Sequence, residues 1–182
     1  FSVDTYYPEV AEFMLKNGFH MINDISFLEN TEMIDLCLSY DAEYVLMHLR
    51  NFNTNYHLKN EYKDLIEEIR VEFKSKLEFI SSKSYETSKV YLDPGFGFSK
   101  DPEQNWQLAR GLPSLKRSFP DYKFLAGISR KSMFAKIFPD SKAGSELRKD
   151  ASTALSFYLF SSGIKVIRSH DVSASVAALE VA

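Results

Sequence analysis

Six short apolar runs in this chain each end in a group able to hydrogen-bond or carry charge: Asp4, Asn23, His48, Asp93, Ser129 with Lys131, and Arg168 with His170. Arg168 and His170 stand two apart, so in extended backbone they point to one side. A guanidinium and an imidazole placed that way make a cradle for phosphate or pyrophosphate. Turns and caps also recruit Asp, Asn and Ser, which accounts for one or two such endings and poorly for six. Taken singly, the residues divide. Asn23 inside an apolar run is costly to bury without partners and leans towards a ligand or backbone contact. Asp4 before Thr5 serves equally as a helix cap, and a lone His48 leans towards a satisfied core residue. Of the adjacent Arg130 and Lys131, one can be plain solvated surface.

The densest of these endings is Tyr91–Lys100, YLDPGFGFSK. Pro94 cannot donate to a ladder and stops the strand just after Asp93. Gly95 and Gly97 permit backbone angles and close approaches that a Cβ forbids, and Phe96 and Phe98 set two rings on the turn. No nucleophile–base pattern of the Ser-His-Asp or Cys-His kind is present. Neither a Walker-type loop nor GxGxxG follows a strand, so a nucleotide reading lacks support.

The elements that position these groups alternate. Strand-like runs at Phe1–Thr5, His20–Ser26, Tyr44–Leu49, Val90–Leu92, Lys123–Ile128 and Ile164–Ile167 are separated by helical patterns. The helices are expected from Pro8 to Asn17-Gly18, Glu32 to Ser39 with Thr31 as cap, and Tyr62 to Ser81. Further ones are expected from Asp101 to a stop near Gly111, through Ala154–Phe160, and after Asp171. Asn51–Asn60 and Asp140–Lys149 read as polar loop. Strand–helix alternation without hairpin signals predicts parallel strands and an α/β fold in one domain. In such folds ligands bind outside the carboxyl ends of the strands, where the six polar endings fall.

Composition narrows the partners. The 182 residues are 45% hydrophobic, enough for a core, and the formal charge is −3. Without clustered Lys and Arg, nucleic acid is not the ligand, while a small anion needs only two or three placed cations. Cys37 is the single cysteine, so there is no internal disulfide and no thiolate metal cluster. No apolar run approaches the roughly 20 residues of a membrane span.

In this order and at these spacings, FSVDT, MINDIS, YVLMH, LDPGFGFSK, GISRKS and IRSHDV resemble the dihydropteroate synthase family, from Phe1 to about Val172 and into the last helix. The resemblance implies a TIM (β/α)8 barrel, with these six strand–helix units as strands three to eight. Residues 1–182 would then be a single pterin-binding barrel domain, N-terminally incomplete and about two-thirds of the family's, with about 90 residues upstream. This stretch alone would be inactive, because the first two loops of the family supply an asparagine near the metal and residues that close over the substrates.

The implied reaction joins 6-hydroxymethyl-7,8-dihydropterin pyrophosphate to p-aminobenzoate, giving 7,8-dihydropteroate and pyrophosphate in folate biosynthesis, with Mg²⁺ assisting. By resemblance, Asp4, Asn23, Ile25, Met47, Asp93, Gly127 and Lys131 surround the pterin, and Asp93, Lys131 and Asp4 act in catalysis. Phe98, Lys131 and Ser132 would meet p-aminobenzoate and sulfonamide inhibitors, and Arg168 and His170 the pyrophosphate. No metal ligand is implied within these residues. A cytoplasmic homodimer is also implied. Two positions differ from the family pattern, Ser99 where glycine is usual and Ser169 where valine is usual. A pterin-dependent methyltransferase would share the barrel and the Asp–Asn–Asp grip but not need SRKS or the Arg–His pair. A non-catalytic pterin-binding scaffold is the third reading.

Overall fold

The computed structural model describes residues 1–52, 60–142 and 145–181. Six parallel strands run in sequence order: β1 (Ser2–Asp4), β2 (Met21–Asp24), β3 (Glu43–Met47), β4 (Val90–Asp93), β5 (Lys123–Ala126) and β6 (Val166–Ile167). Between and after them come α1 (Pro8–Lys16), α2 (Glu32–Ser39), α3 (Leu65–Ser82), α4 (Pro102–Arg117), α5 (Glu146–Ser161) and α6 (Val172–Leu179). The α/β alternation expected from the sequence is what forms. Arg168, just past β6, reaches Asp4 at the end of β1 at 3.1 Å. The sheet therefore curls until the carboxyl ends of its outermost strands are one side chain apart.

The curl gives the sheet two different faces. On the convex side Ile22, Tyr44, Leu46, Val90, Leu92 and Phe124 are buried in one continuous core with the inward stripes of the helices. That of α3 is Leu65, Ile69, Phe73, Leu77 and Ile80, spaced by three and four as a helix facing a sheet requires. Burying such side chains contributes roughly 1.5–3 kcal/mol each, so this layer carries most of the stability. On the concave side Val45, Tyr91 and Leu125 form a small separate cluster with Met21 and Val166. Below it Tyr91 donates to Glu43 (2.7 Å) and Lys123 donates to Tyr91 (3.0 Å).

Several boundaries differ from the expectation. Helix α4 does not stop near Gly111 but continues to Arg117, through Gly111 and Pro113. A Cβ at Gly111 would come within 2.4 Å of Ile66, so this glycine lets α4 press on α3 rather than ending a helix. At its other end Asp101 and Gln104 form a capping box. Helix α5 begins at Glu146, eight residues before the expected run, because Ser145 caps it by accepting from the Arg148 amide. Thr31 makes no side-chain cap; Asn30 instead accepts from the Glu32 amide at 3.0 Å. The expected polar loop 51–60 lies mostly in 53–59, outside the described residues. No helix among the described residues is long and apolar enough to cross a membrane.

Candidate active site

Side chains alternate across a strand, so parity decides which polar endings meet. Val45 and Tyr91 lie on the concave side, which puts Met47 and Asp93 there too. The same step from Met21 leads to Asn23 and Ile25, and from Val166 to Arg168. Register sets Asp4 beside Asn23 and Met47 beside Asp93. Asp24 and His48 fall on the opposite parity and leave the mouth. Asp24 is fully buried and accepts from Tyr44 (2.5 Å) and the Ser26 amide (2.7 Å). His48 turns towards α3, 2.9 Å from Glu72, and is the satisfied core histidine that the sequence favoured.

A cleft of about 230 Å³ opens at the carboxyl ends of the strands, lined by Asp4, Ile25, Phe98, Gly127, Ser129, Lys131, Arg168 and His170. A second hollow, about 420 Å³, continues down the concave face past Asn23, Met21, Val45 and Leu125, sharing Asp4 and Arg168 with the first. Of the residues the sequence singled out, Met47 is buried in register with Asp93. Ser132 is exposed at the start of a 3-10 turn, Ser132–Lys136, outside the lining of the cleft. A roomier hollow, about 460 Å³, lies between α4 and α5 beside Trp106 and Tyr158; it carries none of the strand-end groups.

The electrostatics of the mouth follow from burial. Asp93 is 5% exposed and accepts from the Gly95 amide at 2.8 Å. Burial pushes its carboxyl up to about 6, against the pull of that amide and of Lys131, Lys100 and Arg168. Burial likewise lowers the Lys131 ammonium, opposed by Asp93, and its Nζ lies 4.5 Å over the Phe98 ring. Neighbouring Arg130 is spent elsewhere, bonded through two nitrogens to Asp171 at 3.0 and 2.6 Å. Lys131 is therefore the member of that pair turned to the cleft. Asp4 accepts from Asn23 Nδ2 at 3.0 Å and forms an ion pair with Arg168 at 3.1 Å. Asn23 is 8% exposed, and its Oδ1 is buried with no partner among the described residues. Such an acceptor costs free energy until a donor arrives, so it marks where a ligand N–H belongs.

The turn after Asp93 is held from behind, chiefly by Lys100, which the sequence did not single out. Lys100, buried, donates to Gly95 O and Phe98 O and contacts His48. A lysine closing a glycine-rich turn was the available signal, but its partner His48 is remote in sequence. Ser99 sits at φ +52° and exchanges hydrogen bonds with the Arg50 backbone, donating at 2.6 Å and accepting at 3.3 Å.

Chemically, the mouth offers buried acceptors at Asp93 and Asn23, a lysine against an aromatic ring, and an exposed guanidinium and imidazole at Arg168 and His170. That is the complement of a flat, donor-edged ring bearing an anionic tail. Residues 1–170 match the family described as pterin binding enzyme. The chain is 36% identical to a dihydropteroate synthase of Synechocystis, over the whole of this chain and 62% of that protein. It superposes on a Clostridium difficile dihydropteroate synthase, determined with pteroic acid, with TM-score 0.87 and 35% identity, covering 99% of this chain and 65% of that one. A Xanthomonas albilineans dihydropteroate synthase with 4-aminobenzoic acid gives TM-score 0.89 and 30% identity, covering 99% and 62%. The chain thus spans less than two thirds of the length of each.

Proposed function

The chain belongs to the pterin binding enzyme family, and from that premise we propose that it carries most of the site of a dihydropteroate synthase. The reaction joins a dihydropterin-methyl pyrophosphate to p-aminobenzoate and releases pyrophosphate. One observation carries the reading: the hollow lined by Asn23, whose Oδ1 has no partner among the described residues, runs through Asp4 and Arg168 into the cleft of Lys131 and His170, with Asp93 buried behind it under the pull of Lys131. We also propose that the six strands are strands three to eight of an eight-unit barrel, residues 1–182 forming one domain of a cytoplasmic homodimer.

In this reading Asp93 accepts two donors from the pterin edge, and Asn23 Oδ1 accepts another. Ile25, Met47 and Gly127 line the ring. The methylene carbon–oxygen bond breaks with its electron pair leaving on pyrophosphate, which Arg168 and His170 receive. The carbon left behind is cationic, and the carboxylates of Asp4 and Asp93 face that charge. The arylamine nitrogen of p-aminobenzoate, bordered by Phe98, Lys131 and Ser132, then bonds to the carbon and loses a proton. No side-chain nucleophile is needed. Sulfonamides would compete for the arylamine position. Mg²⁺ enters only as a companion of the pyrophosphate. Among the described residues no group of three His, Cys, Asp or Glu side chains is placed to hold a metal.

The Arg168–His170 pair speaks against a methyltransferase, whose substrate has no pyrophosphate to receive. The decisive experiment is pyrophosphate release by the full-length protein, with each substrate omitted in turn. Release must require both. Release without the arylamine sinks the synthase reading in favour of hydrolysis of the ester, and no release with both present leaves the scaffold. In Arg168→Ala the KM for the pyrophosphate ester should rise at least tenfold, while affinity for the pterin alcohol changes little.

A further inference from the structure

Behind Asp93 lies a charged group that the proposed chemistry leaves without a task. Lys100 is 7% exposed. Its Nζ donates to Gly95 O (3.2 Å) and Phe98 O (3.1 Å) and stands 3.0 Å from His48 Nδ1. An ammonium has three hydrogens, and here each has an acceptor. The imidazole is held in turn: His48 Nε2 is 2.9 Å from Glu72 Oε2, and Glu72 accepts from Arg50 Nε at 2.9 Å. With Nδ1 accepting from Lys100, the proton of a neutral His48 sits on Nε2 and faces Glu72. Burial lowers the His48 imidazole to about 4, reinforced by Lys100, consistent with that neutral form.

The backbone that Lys100 grips is irregular. Gly95, Gly97 and Ser99 have φ of +70°, +77° and +52°, so neither a ladder nor a helix fixes the segment between Asp93 and Lys100. Asp93 begins it and Phe98 lies near its end; one stands beside the cleft and the other lines it. We propose that Lys100 is a positioning residue. Its ammonium, seated on a His48 ring that Glu72 holds from the other side, clamps the turn from Gly95 to Phe98 and thereby fixes Asp93 and Phe98 relative to the cleft. The clamp itself follows from the geometry; its kinetic consequence rests on the synthase reading.

The clamp has a pH limit. Burial pushes the Lys100 ammonium down to about 7, with Asp93 and Glu72 pulling it up and Arg50 opposing them. Losing the proton removes one of three donors and the charge that strengthens the others. The grip therefore weakens as pH rises through about 7, while His48 stays neutral throughout that range.

The test is amide hydrogen exchange in the full-length protein, corrected for base catalysis. In Lys100→Met, protection at Gly95, Gly97 and Phe98 should fall at least tenfold while protection at Ile22 and Leu46 holds. The KM for the pterin substrate should rise about tenfold, with kcat less affected, and the wild-type rise in KM above about pH 7 should vanish. Unchanged protection in the turn overturns the proposal. So does a uniform loss across all amides, which would mark a stability role only. Should the variant not fold, the wild type suffices: protection at those three amides should drop between about pH 6 and 8 relative to Ile22, and a constant ratio overturns the clamp. Exchange decides the clamp whether or not the wild type catalyses condensation, so failure of the synthase reading shows separately.

Discussion

Replacing Asp93 by asparagine should make the protein gain stability relative to wild type as pH rises, while making it less able to bind. The carboxyl is 5% exposed, and burial raises it from 3.8 to about 6. A carboxyl raised on folding takes up its proton more readily in the folded state. Its ionised form is therefore a cost to stability, fully present above about pH 6 and progressively relieved as pH falls towards 3.8. Linkage puts that cost at about 3 kcal/mol near pH 7.5 and about 1 kcal/mol near pH 4.5. Asparagine never ionises and keeps the bond from the Gly95 amide through its own oxygen. Its NH₂ group, if left without an acceptor, costs about 1–3 kcal/mol at every pH. The absolute shift is thus a difference of similar numbers, but its pH dependence is not. The stability gap between Asp93→Asn and wild type should move by about 2 kcal/mol in the variant's favour between pH 4.5 and 7.5. For a chain of this size that is about 4–8 °C in Tm. Thermal unfolding of both proteins across that range reads it directly. Taking the gap also cancels His48, whose imidazole is lowered by burial and so erodes stability in the same acid window in both proteins. A gap that stays constant with pH would refute the reasoning, for it would mean that Asp93 is not desolvated.

Two further substitutions test the turn. In Gly95→Ala the new Cβ would lie 2.1 Å from the carbonyl oxygen of His48 at φ +70°; left-handed strain of roughly 1–2 kcal/mol adds to displaced backbone, so urea unfolding should show a loss of at least about 2 kcal/mol. A loss under about 0.5 kcal/mol would mean the turn has room that the geometry denies. Ser99→Gly relieves the strain of φ +52° but removes both hydrogen bonds to Arg50, worth about 1 kcal/mol each, and should destabilise by about 1 kcal/mol; an increase in the urea midpoint would contradict it.

What could be read in advance was local. Strand–helix alternation depends on short-range pattern, so the order of the elements and the six polar strand ends were legible. Period two could also have separated Asn23 from Asp24 and Met47 from His48, since the choice of face needs only the neighbouring apolar residues. What was hidden depends on remote partners. Gly111 looked like a helix end because nothing nearby shows that Ile66 fills the place of its side chain. Lys100 shows nothing locally of what it holds, its contact with His48 lying 52 residues away. The polar start of α5 carries few apolar positions, and its cap at Ser145 precedes charged residues rather than the expected hydrophobic run.

The two faces of the strands also divide what mutation can do. Asn23 and Asp24 are neighbours in the chain, yet one lines the concave hollow and the other is bonded to Tyr44 inside the helical layer. Met47 and His48 likewise fall on opposite parity, Met47 beside Asp93 and His48 bonded to Glu72 on α3. Escape from an inhibitor seated on the concave side can therefore draw only on alternate positions of each strand. A change at the positions between them acts on the core, where it alters whether the protein folds before it alters what the protein binds.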